Sequence, residues 1–555
     1  MTGVRLAHAA RRMCSATVVI ALLGATGLTS SCAPGLVSVR SGTARPVTRA
    51  ERTAYAETSR YDDVIAFLDA LRTGGAPLAF GTMGQTMEGR AIPYVIASRP
   101  LVRTAAEARA SGRPIVLVQG NIHAGEVEGK EALLALLRDL ALEQRPNVLD
   151  SIILVAVPIY NADGNEKVGP QGRQRSEQNG PELVGQRPNA QGLDLNRDYI
   201  KAEAPETRAS LAMFNLWDPH VFVDLHTTDG SFHGYALTYA PSLHPAAPLG
   251  DFTRELLGTV RQRMRTRHGI ETFDYGNFND RGGLEISTDS THAGWFTYDH
   301  RPRFGTNYYG LRNRVSVLGE AFSHDPLERR VRVTSSFVRE LLSLVAERSG
   351  DLLARERAAD AALAAPGTVV ALRSALPSSA PPQPVRFELL ARTGDSSLTQ
   401  PGVPRGLRRT GTLRTGEMPV FDRFVPVLSR PLPALYLVPD DSALVARLVA
   451  HGIVVADAQA TAQLGAIEEF VLDSIVRATR PFQGHREVRL VGHWQVASTG
   501  AALSVGRVVR TAQPRGRLAA LLLDPESDDG LTTWNAFDVL LRTGAPFPVR
   551  RLMAP

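Results

Sequence analysis

The chain has 555 residues, 43% hydrophobic and 21% charged, with a formal net charge of +6 at pH 7. Such a length predicts more than one domain, the apolar share excludes a chain disordered throughout, and a mean hydropathy of -0.10 excludes a polytopic membrane protein. The positive excess is scattered, mostly as Arg, and is not interleaved with aromatics, so it reads as solvated surface and no nucleic-acid partner is expected.

Residues 1–32 read as an export signal. Arg5, Arg11 and Arg12 form a basic start, and residues 13–28 are an apolar run of signal-peptide length. Leu28-Thr-Ser-Ser-Cys32 resembles a bacterial lipobox with its Leu one place too early. Lipidation of Cys32 is the first expectation, plain secretion and a retained N-terminal anchor the alternatives. Either way the expected location is the periplasm or cell envelope, or the outside, and any membrane contact runs through that anchor. Cys14 and Cys32 are the only cysteines, which excludes a disulfide framework.

Residues 33–60, rich in Ser, Thr, Arg and Ala, read as a tether. Helical spacing begins at Tyr61 and runs to Arg72. Short apolar runs at 92–97 and 115–119 predict strands, and 128–142 predicts a helix with a broad Leu face. An apolar strand follows at 152–158, a helix at 205–217 starting on Pro, a strand at 221–225, a helix at 252–267, a strand at 314–319 and a long helix at 326–347. Strands apolar on both faces, alternating with helices, predict an α/β domain over 61–360 with a mixed, mostly parallel sheet covered by helices on both faces. An Ala-rich and then Ser/Pro-rich stretch sets a boundary near 360–385. Beyond it, strand candidates at 384–391, 434–438, 453–456 and 487–491 and a helix candidate at 442–451 predict a smaller β-rich or mixed C-terminal domain, 385–555, of no evident catalytic role. Its acid cluster in Leu521-Leu-Leu-Asp-Pro-Glu-Ser-Asp-Asp-Gly530 reads as a capped turn ahead of a calcium loop.

Four polar signals interrupt the apolar pattern. His123-Ala-Gly-Glu126 lies between a strand and a helix, where open α/β sheets put ligands. His226 ends the strand Val221-Phe-Val-Asp-Leu225. Imidazole and carboxylate suit Zn²⁺, and three protein ligands make a catalytic rather than a structural site. Leu193-Asp-Leu-Asn-Arg-Asp198 offers an Asn-Arg pair, the Arg able to grip a carboxylate with two parallel bonds. Glu320 closes a strand and can serve as general base and acid. Each is weak alone, but all four stand at strand ends of one domain.

In this order they resemble the zinc carboxypeptidases (carboxypeptidase A-like metallopeptidases), over about residues 55–350. The family pattern of HxxE, Asp-x-Asn-Arg, His after a strand and catalytic Glu is matched by His123/Glu126, Asp194-Leu-Asn196-Arg197, His226 and Glu320, and Asn161-Ala-Asp-Gly164 is similar to the family's NPDG turn. The resemblance implies one zinc ion per chain on His123, Glu126 and His226, Glu320 as general base and acid, Asn196 and Arg197 as the grip on the substrate's terminal carboxylate, and Asp194 as the acceptor that orients a ligating His. It also implies an oxyanion-stabilising Arg, here Arg175 with Arg173 and Arg187 as rivals, and a substrate-covering Tyr, here Tyr308 with Tyr298 and Tyr309 as rivals. The expected function is that of an exported zinc metallocarboxypeptidase removing C-terminal residues from peptides with a free carboxylate. The alternatives are an amidase or peptidase on cell-wall peptides or acylated amino acids, and a non-catalytic binding protein on the same fold.

Overall fold

A computed structural model describes residues 45–144, 146–278, 293–365, 367–395, 397, 403, 405–458, 467–497 and 506–553. The export segment, with Cys32, lies outside the described residues. From residue 45 onward the chain forms one compact unit, and among the described residues no helix is long and apolar enough to cross a membrane.

The central sheet has eight strands: β1 (Leu78–Gln85), β2 (Ala91–Ala97), β3 (Ile115–Gly120), β4 (Ile153–Val157), β5 (Val221–Thr227), β6 (Leu237–Pro241), β7 (Thr272–Asp274) and β8 (Val315–Ala321), in the order β1-β2-β4-β3-β5-β8-β6-β7. The middle four, β4-β3-β5-β8, are parallel, and β1, β2 and β6 pair antiparallel. Successive side chains of a strand leave opposite faces. Val116 and Val118 therefore enter one core, under helices α1 (Tyr61–Thr73), α2 (Glu128–Leu142), α4 (Gly250–His268) and α5 (Leu327–Glu347). Ile115 and Leu117 enter the other, closed by α3 (Pro205–Trp217) together with Tyr199, Tyr308 and Tyr309.

That second core continues into the C-terminal part. Leu211, Phe214 and Trp217 of α3 belong to the same buried cluster as Tyr436, Leu444, Leu448 and Leu518. The C-terminal part is rich in sheet, including a six-stranded sheet and the long pair Pro382–Arg392 and Leu407–Phe421. The acid cluster is held by cations and donors of the protein itself: Glu526 by Arg430 and Trp494, Asp528 by His300 and Asp529 by Arg303.

Residues 45–60, expected as tether, are a packed part of the domain. Thr48 caps a short helix, Arg49–Arg52. Glu51 pairs with Arg138 of α2 at 2.7 Å, and Ser59 and Thr58 bond the buried Glu131. Polar composition hid this because the packing runs through ion pairs rather than apolar side chains. Strand β1 also has no expected counterpart. Gly81 and Gly84 break its apolar pattern, and Gly81 stands opposite Tyr94, whose ring fills the space a side chain there would take, 2.3 Å from a built Cβ.

Tyr308 donates its hydroxyl to His451 Nδ1 at 2.8 Å, and His451 Nε2 donates to the Ile200 carbonyl at 3.2 Å. The neutral ring is thus fully used, and burial pushes its pKa from 6.5 down to about 3. The unfolded chain takes up this proton and the folded chain does not. The contribution is complete above pH 6.5 and is lost as pH falls from there toward 3, by up to about 1.4 kcal/mol per pH unit. A His451→Gln variant is expected to be less stable near neutrality and less acid-sensitive; melting temperatures of both proteins from pH 7 to 5 check this.

Candidate metal centre and substrate cavity

The residues at the C-terminal edge of β3, β5 and β8 meet in one cavity. His123 follows β3 on a loop that turns at Asn121, whose φ is 66°. Asn121 Nδ2 donates to the carbonyls of Ala124 and Glu126 at 3.3 Å, and Asn161 Nδ2 donates to that of Ile122 at 3.2 Å. Asn161 also accepts the Gly164 N–H and so caps the short helix Ala162–Glu166. The Asn161-Ala-Asp-Gly164 turn is therefore a brace under the His123 loop. Gly125 sits where a Cβ would lie 2.7 Å from Arg175 Cγ, so a side chain there would push the loop out. In the parallel pair of β5 and β8, Glu320 stands directly beside His226.

His123 Nδ1 lies 3.0 Å from Glu126 Oε1, and His226 Nδ1 lies 2.9 Å from Glu126 Oε2. Ligand atoms of the three residues all fall within 4.8 Å of one another, and all three side chains are buried. The outer ring nitrogens are also fixed. His123 Nε2 is 3.0 Å from Asp194 Oδ1, and His226 Nε2 is 3.0 Å from Asp224 Oδ2. Asp194 beside the His123 Nε2 would hold that nitrogen as N–H and leave Nδ1 to ligate when a metal is bound, and Asp224 is an ion-pair neighbour of the His226 Nε2. Two imidazoles, one carboxylate and a matched pair of supporting carboxylates suit a zinc ion with an open position. Asp224 was missed in the sequence; its signal was a carboxylate two residues before His226 in a strand otherwise apolar.

Burial opposes charge on Glu126, but His123 and Arg175 outweigh it and hold its pKa well below the usual carboxylate range. Burial likewise opposes charge on Asp194, and His123 and Arg187 hold its pKa well below the usual range. Glu320 goes the other way. Burial pushes its pKa well above the usual range, with His226 opposing and Glu126 and Asp229 adding to the rise. The two carboxyl groups of the site are thus shifted in opposite directions by their surroundings.

The cavity, of about 320 Å³, is lined by His123, Glu126, His226 and Glu320 together with Asn196, Arg197 and Arg187. Asn196 Oδ1 accepts the Gly305 N–H at 2.8 Å, and the Arg197 guanidinium lies 3.8 Å from the centre of the Phe304 ring. Tyr275, Asn277 and Tyr298 also line the cavity, and Tyr275 and Asn277 both donate to Asp229.

Two expectations need correction. Arg175 does not line the cavity. It is buried behind Glu126, with Nη1 donating to Glu126 Oε1 at 2.9 Å and Nη2 to the carbonyls of Thr227 and Thr228 at 3.1 Å. Its rival Arg187 does face the cavity, with Nε on Asp194 Oδ2 at 2.9 Å and a side chain 37% exposed. Tyr308 is wholly buried against His451 and does not line the cavity, whereas Tyr298 does. Both residues lie in stretches without clear periodicity, where spacing could not choose among neighbours. Arg173 and Tyr309 do not line the cavity either.

Comparison with known proteins agrees with this geometry. Residues 64–308 match the model of the family described as zinc carboxypeptidase. Residues 64–308 thus form a zinc carboxypeptidase family segment. Relatives carry the same stamp: "Carboxypeptidase 2" of Trichophyton rubrum is 24% identical over 525 residues, covering 89% of this chain and 86% of its own. "Probable carboxypeptidase 2" of Arthroderma benhamiae is 30% identical over 141 residues, 25% of this chain and 23% of its own. Among solved structures, a metallo-carboxypeptidase from Burkholderia cenocepacia is similar at 16% identity, covering 52% of this chain and 70% of its own, with a TM-score of 0.38. The matched segment and the relatives named carboxypeptidase make the chain a metallocarboxypeptidase-type hydrolase of a zinc-dependent family. Glu320 lies beyond the matched span and is brought to the site by the pairing of β8 with β5.

Proposed function

We propose that the protein is an exported zinc carboxypeptidase that removes single residues from the carboxyl end of peptides, using one zinc ion on His123, Glu126 and His226. The observation that carries this reading is the convergence of those three ligand groups in one cavity with Glu320, Asn196 and Arg197. Zinc, when bound, supplies Lewis acidity to the scissile carbonyl and acidity to the attacking water. Glu320 takes the proton of that water and returns it to the leaving amine. Arg187, which lines the cavity where Arg175 does not, would stabilise the developing oxyanion. Arg197 and the Asn196 amide hold the terminal carboxylate, and Tyr298 covers the bound residue.

The ligand set and the base are both complete, which argues against a non-catalytic protein on this fold. Export rests on the basic start and apolar run of residues 5–28, and lipidation at Cys32 on the lipobox-like Leu28-Thr-Ser-Ser-Cys32. The test compares peptides ending in a free carboxylate with their C-terminal amides. Release of the last residue should favour the acids by about 10²-fold or more, as expected for a lost charge-assisted fork, and Arg197→Met should remove most of that preference. Equal cleavage of acids and amides by the native enzyme would refute the reading. Cell-wall peptides and acylated amino acids also end in carboxylates, so including both in the panel identifies the carboxylate's owner.

A further inference from the structure

The wall that shapes the carboxylate grip is fastened from the C-terminal part of the chain. Arg303, only 2% exposed, is clamped by Asp529: its backbone N–H donates to Asp529 Oδ2 at 2.7 Å, and its Nε and Nη2 donate to Oδ1 at 2.9 and 2.7 Å. Nη1 donates to Glu487 at 2.6 Å. The guanidinium also lies 4.5 Å from the Trp534 ring, whose Nε1 donates to the same Asp529 oxygen at 3.1 Å. Asp529 itself is wholly buried.

The two residues after Arg303 touch the grip directly. Phe304 stacks on Arg197, and the Gly305 N–H binds Asn196 Oδ1. A backbone N–H can only donate, so it selects the oxygen end of the Asn196 amide and turns the NH₂ end away. The Phe304 ring limits where the Arg197 guanidinium can lie. A second link runs parallel: the Asp194 N–H, two residues before Asn196, donates to Gln483 Oε1 at 2.9 Å across 289 residues of chain.

We propose that Asp529, through Arg303, is a positioning residue for the recognition of the substrate's terminal carboxylate, so that the C-terminal part belongs to the specificity apparatus. A buried charged pair with this many bonds leaves an uncompensated charge when one partner is removed, and the strain falls on the segment that carries Phe304 and Gly305. The chain of contacts sets the aim of Asn196 and Arg197, not the chemistry at the metal centre. This rests on the reading of Asn196 and Arg197 as the grip.

The experiment measures kcat and KM of the full-length enzyme on matched free-acid and C-terminally amidated peptides. Asp529→Asn and Arg303→Lys are each expected to lower the acid-over-amide preference about tenfold, mainly through a higher KM for the acid. Hydrolysis of the amide should change less than twofold, and bound zinc should stay stoichiometric. If those variants fail to fold, Glu487→Gln, at a partly exposed carboxylate, should still lower the preference about threefold. A folded variant of this set with the native preference would overturn the inference, as would an equal loss on acid and amide. Arg197→Met separates the two ideas. If it keeps the preference, the reading of the grip fails; if it loses the preference while Asp529→Asn and Glu487→Gln keep it, the positioning role alone fails.

Discussion

Replacing Glu320 by Gln is expected to reduce turnover by about 10³-fold or more while zinc stays bound. The amide keeps the size and shape of the carboxylate but cannot take a proton from water at neutral pH, and proton transfer by a positioned side chain is worth about 10²–10⁴-fold. Zinc should remain because Glu320 is not one of the three convergent ligand residues. Burial with Glu126 and Asp229 nearby already disfavours charge on Glu320, so a neutral residue there should not destabilise the fold. The checks are kcat on a peptide ending in a free carboxylate, metal content and melting temperature. Turnover near the native rate in a zinc-loaded E320Q protein would remove Glu320 from the chemistry.

The second large effect concerns the metal itself. Chelation is expected to abolish activity and added zinc to restore it, and His123→Ala is expected to be isolated without stoichiometric zinc or activity. The reason is coordination number. Three protein ligands are the minimum that a catalytic zinc site employs, and removal of His123 leaves one imidazole and one carboxylate whose oxygen already accepts from Arg175. The supporting carboxylates should show a graded version of the same loss. Asp194→Asn and Asp224→Asn each keep a side chain beside an Nε2 but weaken its orientation, and about 10–100-fold lower zinc affinity is expected. Titration against a competing chelator reads all these variants on one scale. Stoichiometric, tightly held zinc in His123→Ala would mean that the ion sits elsewhere.

The arithmetic of buried charge explains why this site has so many supporting groups. Glu126 alone is met by two imidazoles, by Arg175 and by the Thr227 N–H. An isolated carboxylate at that depth would take up a proton rather than stay charged. The cations keep Glu126 ionised and thus available as a ligand. Arg175 is best understood in this role: behind the carboxylate, sharing its charge and tying the His123 loop to the strand end at Thr227 and Thr228.

Much of the site was legible along the chain because its residues sit at the ends of regular elements. The strands 115–120, 221–227 and 315–321 announce themselves by apolar runs buried on both faces, and a polar residue closing such a run has few structural reasons to be there. His123, His226 and Glu320 share that signal, and parallel pairing puts their strand ends on one edge. Asp194, Asn196 and Arg197 were legible as a compact motif. Arg187 and Tyr298 were visible only as members of sets of rivals, because the segments that carry them have neither a 3.6-residue nor a 2-residue period.

The amino-acid sequence alone determined the alternating pattern of helices and strands and the set of possible ligands, and it offered Glu320 as a candidate acid–base residue, since these follow from periodicity, side-chain chemistry and the family resemblance. Tertiary structure decided which arginine and which tyrosine face the cavity, that Asp224 backs His226, and that residues 45–60 are packed onto α2. It also brought Gln483, Glu487 and Asp529 to Asp194 and Arg303, beside Asn196 and Arg197, from far along the chain. Those contacts are made by single polar side chains across a shared hydrophobic core. Nothing in the local pattern around them encodes a partner more than 180 residues away, as the 184-residue separation of Arg303 and Glu487 illustrates; only the packing of α3 against the C-terminal helices and sheets fixes who meets whom.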